Sequence, residues 1–254
     1  LREWFIQRLD MPNRIVLNRK IPKKAFFTQG DLSASEKELF TSQIEGIYLL
    51  SVMNQQSMNI PVYQTDEFHY AEVVWIYIKL RASQNINRIV NAVHKSIPNP
   101  VVLIVESSEG ELLLSTCHKR VNKNDMTKVV VDQPTITKWF QPNEENGTYN
   151  KLLNELAVEK LSFENLYNIY DDIHQWLQCE EVILLIGTLP TGIESRKKVV
   201  NVLYTIHEHR KEVERLQKEQ KGQLDFGEKM ELHMKIKRQE QQISAQLQQM
   251  KELC

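Results

Sequence analysis

Apolar residues recur along this chain with two different periods, and the switches between them predict its elements. After Ser33-Ala-Ser-Glu36, spaced as a capping box, Leu39, Phe40, Ile44, Ile47 and Tyr48 fall at helical intervals and predict a helix reaching about Met53. Residues 71–80 are β-branched and aromatic, a strand pattern. Ile86, Ile89, Val90, Val93 and Ile97 return to the helical period over 85–97, and Pro98-Asn-Pro100 stops it. A buried-looking strand at 101–106, a turn at Glu109-Gly110 and a returning strand at 111–117 complete a βαββ unit, with the helix crossing over one face. Residues 128–132 add a further strand. Upstream, Pro22 argues against helix in 18–27, which reads as extended or turn.

From Tyr149 onward the pattern is helical: 152–161, then 162–177 with Ser162-Phe-Glu-Asn165 as a candidate cap, then 182–186. Leu189-Pro-Thr-Gly192 is the clearest linker. Beyond it lies a polar tail with nine glutamines and a thin apolar content, so its helices cannot form a core singly and must lie on another helix. Ile236, Ile243 and Met250 repeat every seven residues, with Leu247 between them, in the manner of a short coiled-coil seam. Gly222 and Gly227 let the chain turn, which predicts two antiparallel arms at 195–221 and 228–253 with Phe226 beside the tip. The fold class expected is α+β: an N-terminal helix and a mixed sheet around the βαββ unit, then helices and a coiled-coil-like helical hairpin. The corresponding divisions are a body at 1–147, a helical segment packing on it at 148–192, and the hairpin at 193–254.

Composition narrows the function classes. A hydrophobic fraction of 41% permits a sizeable core, and a formal net charge of −1 gives no global attraction to nucleic acid or anionic membrane. No stretch approaches the roughly 20 apolar residues of a membrane span, and the first residues lack the uninterrupted apolar run of a signal peptide. Three scattered cysteines, Cys117, Cys179 and Cys254, fit a reducing cytoplasm.

Candidate chemistry is sparse. Gly187-Thr-Leu-Pro-Thr-Gly192 lacks the Gly-Lys-Ser/Thr of a phosphate loop, and no Gly-x-Ser-x-Gly elbow occurs. Cys117-His118 and His174 with Cys179 converge only if folding happens to bring them together, so the cysteines read as small buried hydrophobes and the histidines as surface or satisfied core residues. His207 and His209, two apart on a helix, share no face and read as solvent residues. A metal-dependent nuclease needs an acid ahead of one strand and an acid-x-Lys on the next. Asp66, Glu67 or Glu72 precede Trp75-Ile-Tyr-Ile-Lys79, but Tyr77 stands where the second acid belongs. Trp75 and Tyr77 share a strand face, which suits core packing better than base stacking.

Several segments together resemble a bacterial family of domains of unknown function. These are Lys20-Ile-Pro-Lys-Lys-Ala-Phe-Phe27, Glu38-Leu-Phe40, Gln43-Ile-Glu-Gly-Ile47, Asn59-Ile60, Ile97-Pro-Asn-Pro-Val-Val-Leu-Ile104, Ser115-Thr-Cys-His-Lys-Arg120, Thr137-Lys-Trp139, Leu161-Ser-Phe-Glu-Asn-Leu-Tyr167, Lys218-Glu-Gln220 and Phe226-Gly-Glu-Lys-Met-Glu-Leu232. The resemblance implies a place beside helicases and DNA methyltransferases in restriction-modification-like defence loci, and it supplies no catalytic residues. In similar sequences the strand ending at Lys79 is more acidic, which weakens a nuclease reading here.

The expectation is a non-catalytic, cytoplasmic accessory or scaffold subunit of an anti-phage defence complex, with no cofactor, no metal and no membrane. Its partner is a helicase or DNA methyltransferase, or a second copy of itself, bound through the body and through Leu224, Phe226, Met230, Ile236, Ile243 and Leu247. On this view Ile236→Glu with Ile243→Glu abolishes association while the body stays folded. The alternative is a nucleic-acid-binding or degenerate nuclease-like module, with Lys20, Lys23, Lys24, Lys119 and Arg120 making the charged contacts, to DNA directly or through the complex.

Overall fold

The computed structural model describes residues 1–29, 32–125, 129–142 and 147–254. Helix α1 (Arg2–Arg8) leads to strand β1 (Val16–Ile21), helices α2 (Lys23–Gln29) and α3 (Ala34–Gln43), and strand β2 (Ile44–Asn54). A short helix, α4 (Gln55–Met58), and a small hairpin of β3 (Tyr63–Gln64) and β4 (His69–Tyr70) precede β5 (Glu72–Leu80). Then come α5 (Ile86–Ser96), β6 (Val101–Glu106), β7 (Leu112–Thr116), β8 (Lys119–Val121), β9 (Val129–Val131) and β10 (Thr135–Ile136). The helices α6 (Thr148–Glu155), α7 (Leu166–Ile186), α8 (Ile193–Gly222) and α9 (Phe226–Leu253) complete the chain. Two compact units result, Leu1–Leu177 and Gln178–Cys254, and the division falls inside α7, not at the linker before α8.

The first unit is built on a six-stranded mixed sheet in the order β1-β2-β5-β6-β7-β10. Its one parallel pair, β5 with β6, is the pair that α5 connects, and β7 returns antiparallel to β6, so the βαββ unit stands as expected. Alternation along β5 divides its side chains between two faces. Val74, Ile76, Ile78 and Leu80 join Phe40 of α3 and Ile89 and Val93 of α5 in one core layer. Trp75 and Tyr77 point the other way and are fully buried, so they are core residues and not a stacking platform. Phe5 of α1 packs against Trp75 with ring centroids 6.4 Å apart.

Two expectations are corrected here. The capping box at Ser33 and Glu36 is present, but the helix it starts ends at Gln43, and the chain runs directly into an 11-residue strand. Ile44, Ile47, Leu50 and Met53 are all fully buried, and that spacing of three imitates a helix. It arises because β2 is an inner strand, paired with β1 and β5, and carries register irregularities at Ile44/Gly46 and Leu49/Ser51. Pairing on both edges outweighs the helical spacing. Secondly, residues 18–27 are extended only as far as Ile21; Pro22 sits just before α2, a position where its missing N–H costs no helical bond. Of the strand expected at 128–132, Val129–Val131 forms β9, and Lys128 lies outside the described residues.

The outer edge of β1 carries a bulge between Val16 and Arg19, with Asn18 at φ 43°, and exposes Arg19 and Lys20. Bulge and charge together discourage pairing with another strand. On the neighbouring strand, the Tyr48 ring covers Gly46 so closely that an added Cβ would lie 2.9 Å from a ring carbon. The Arg2 guanidinium lies over the same ring, 3.7 Å from its centroid. Gly46→Ala is therefore expected to displace Tyr48 from Arg2 and to destabilise the fold by about 1 kcal/mol. A thermal melt unchanged from wild type would contradict this.

The second unit contains the end of α7 and the antiparallel pair α8 and α9, the hairpin predicted for the tail, with arms of 30 and 28 residues. Val213, Leu216, Leu232 and Ile236 form its inner seam. Asp225 caps α9, its side chain accepting the Glu228 N–H at 2.9 Å. Before α7, the cap expected at Ser162 is supplied instead by Asn165, which accepts the Asn168 N–H at 2.9 Å, while the Ser162 N–H goes to Asp172.

Candidate functional site

The candidates for partner contact separate into two groups. Leu224, Phe226 and Met230 lie at the hairpin tip and are 94%, 76% and 46% exposed; Met234, not singled out from the sequence, is 54% exposed. Phe226, Met230 and Met234 are four residues apart and make one outward stripe on α9. That spacing was the available signal for Met234. Ile236 instead faces inward, 4% exposed, while Ile243 and Leu247 are half-buried. The candidate set thus mixes side chains that hold the hairpin with side chains that leave it, and the seven-residue repeat of Ile236, Ile243 and Met250 belongs to the former.

The basic candidates do not form one patch. Lys119 is buried, and its ammonium donates to the Ile97 carbonyl and, at 2.7 Å, to that of Asn99. Ile97 is the C-cap of α5, so the Lys119 amine closes the carbonyl end of that helix. Lys23 does the same for α3 by donating to the Thr41 and Ile44 carbonyls, and Arg81 donates to Thr41 at 3.3 Å. Arg120 is paired with Asp132 at 2.7 Å and lies 3.7 Å from Glu67. Lys20 and Lys24 are exposed.

Nor does the structure assemble the acids considered for a nuclease. Glu72 accepts from Asn54 and Asn99, whereas Lys79 pairs with Glu45 at 3.3 Å. The Tyr77 hydroxyl donates to Glu106 at 2.6 Å. Among the described residues no group of three or more His, Cys, Asp or Glu side chains is placed to hold a metal ion.

Folding does gather a polar and aromatic cluster in the first unit that no local motif announces. The ring of His118, between β7 and β8, stands 4.6 Å from that of His174 on α7, edge to face. His118 Nδ1 is 2.8 Å from the Tyr70 hydroxyl and Nε2 is 3.1 Å from Asp171 Oδ1. The Asp171 carboxylate accepts from Nε2–H, which in the neutral tautomer leaves Nδ1 to accept the Tyr70 O–H. Both ring nitrogens are thus engaged within the protein. Tyr167 packs on His118 and on Tyr63, Phe68 and Tyr70 at 4.8–5.5 Å, walling the network with rings. His174 bonds Thr116 at 2.9 Å, and burial followed by repulsion from His118 pushes its imidazole down to about 4. His94 bonds Ser115 at 3.0 Å and is likewise held neutral by burial.

Beneath these rings, the fully buried Tyr170 hydroxyl accepts the Cys117 N–H at 2.7 Å and donates toward the carbonyls of Cys117 (2.8 Å) and Val101 (2.9 Å). The arrangement joins α7 to β6 and to the segment after β7, the work of a structural clamp. Tyr170→Phe is expected to orphan a buried N–H and destabilise the fold by about 1–2 kcal/mol, read by urea denaturation. An unchanged midpoint would remove the clamp. Cys117 is inert here; its thiol is buried and pushed up to about 12.

Two histidines taken for solvent residues are partnered in the second unit. His207 lies 2.6 Å from Glu181, which Arg210 also reaches, and His209 lies 2.6 Å from Gln239 across the hairpin.

Among the described residues no helix is long and apolar enough to cross a membrane. No curated protein and no solved structure matches the chain. One family model does, over residues 9–243, nearly the whole sequence. The chain therefore belongs to the family described as Domain of unknown function (DUF4391).

Proposed function

We propose that the chain is a non-catalytic accessory subunit of a bacterial, restriction-modification-like anti-phage complex, working in the cytoplasm. Its C-terminal hairpin is the contact element, and a helicase or DNA methyltransferase is the partner. The observation that carries this reading is the exposed apolar tip formed by Leu224, Phe226, Met230 and Met234 at the end of two helices whose own seam is already filled. Large apolar side chains gathered in one exposed patch favour protein contact.

The test is affinity purification of the tagged full chain from its native host, followed by the mass of the intact complex. A stoichiometric helicase or methyltransferase supports the proposal. A protein recovered alone, or with DNA only, favours the nucleic-acid-binding alternative.

A further inference from the structure

The outward stripe on α9 has a chemistry that narrows what it fits. At about 100° per residue, Phe226, Met230 and Met234 drift slowly around one side of the helix and span roughly 12 Å along it. Lys229, Lys237 and Arg238 fall within about a quarter-turn of that line, with the carboxylates Glu231 and Glu240. Only Lys237 has an ion pair, with Glu240 at 2.6 Å; Lys229 and Arg238 have none among the described residues. The carboxylates Glu208, Glu212 and Glu219 of α8, by contrast, are each in an ion pair with Lys211 or Arg215. After Met234 the same side of the helix continues as Gln241 and Gln248, so the apolar part ends abruptly.

From this we infer that the stripe is a helix-in-groove ligand: Phe226, Met230 and Met234 enter an apolar groove on a partner protein, and acidic residues on the groove's rim meet Lys229 and Arg238. The inference rests on the accessory-subunit reading and names the surface and the partner chemistry. Anchors at i, i+4 and i+8 are the spacing by which a helix fills such a groove. The rim charges set register and speed encounter. A stripe of three side chains, closed off by glutamines, is short for a helix lying in a membrane surface. A second copy of the chain would bring basic flank against basic flank.

The experiment places a photo-crosslinking phenylalanine analogue at Met230 of the full chain in its native host, with Gln217 on α8 as the control position. The expected result is one protein adduct from position 230 and none from 217. Peptide mapping should put the adduct among apolar residues bordered by Asp and Glu, and Lys229→Glu with Arg238→Glu should lower its yield at least tenfold. An adduct to a second copy, to lipid, or to a surface indifferent to that charge reversal overturns the inference. So does a purified complex that survives Phe226→Asp with Met230→Asp, an outcome that keeps the partner but takes the hairpin tip out of the contact. Both side chains are exposed, so unchanged helicity by circular dichroism confirms that the variant keeps its fold. If the intact wild-type mass shows no partner at all, the accessory-subunit reading falls first and this inference with it.

Discussion

Ile236→Glu is expected to open the C-terminal hairpin, at a cost of about 3 kcal/mol or more, because it sets a carboxylate inside the apolar seam formed with Val213, Leu216 and Leu232. Far-ultraviolet circular dichroism during urea denaturation reads the effect, and limited proteolysis should place new cleavage between residues 193 and 254. An unaltered unfolding midpoint would mean that this side chain is not enclosed. Phe226→Asp, on the same helix but exposed, should leave the same curve within about 0.5 kcal/mol. The contrast matters for partner assays. Loss of association in the Ile236→Glu, Ile243→Glu double variant reports on the hairpin's own integrity before it reports on any interface.

The second expected result is a stability maximum displaced to about pH 9, with Lys119 as its cause. Burial pulls the Lys119 ammonium down from 10.5 to about 7, so between those values the unfolded chain holds a proton that the folded chain has released. Stability therefore rises with pH from about 7, by about 2 kcal/mol up to pH 9. Above that, Cys117 and Cys179 act in the opposite sense. Their buried thiols keep protons to about 12 that the unfolded chain gives up from about 9, and stability falls again. On the acid side, His174 stays neutral down to about 4, while its unfolded counterpart protonates near 6.5. Stability is accordingly lost as the pH falls through that window. Melting temperatures across pH 5–11 test the profile, and Lys119→Met should abolish the rise between pH 7 and 9 while sparing both outer limbs. A wild-type profile already flat between pH 7 and 9 would show the amine to be ordinary.

What could be read in advance follows from how local each determinant is. Strand β5, helix α5 and strands β6 and β7 were legible because each carries its own periodicity and a stop signal such as Pro98-Asn-Pro100. The capping box at Ser33 and Glu36 was legible for the same reason, involving only four residues. The end of α3 was not, because the strand identity of residues 44–54 is decided by partners on β1 and β5, and the two irregularities in β2 blur its alternation. Pairs such as Tyr70 with His118 and His118 with Asp171 are separated by 48 and 53 residues and leave no trace in local spacing. In the tail, Gly222 and Gly227 announced the hairpin and the seven-residue repeat fell on its inner side, but nothing local told that seam from the outer stripe of Phe226, Met230 and Met234. Both are apolar, and only the direction of the second helix distinguishes them.

The amino groups set on helix ends change how the chain's basicity should be counted. A polyanion releases bound counterions only to cations free to sit on its phosphates, and each such contact adds about −0.9 to the slope of log affinity against log salt. Of the five basic residues that the sequence offered, Lys23 and Lys119 are committed to helix carbonyls and Arg120 to Asp132, leaving Lys20 and Lys24. Binding of DNA through this set would therefore weaken with salt at a slope of about −2 and not about −5, shallow enough to give little affinity at physiological ionic strength.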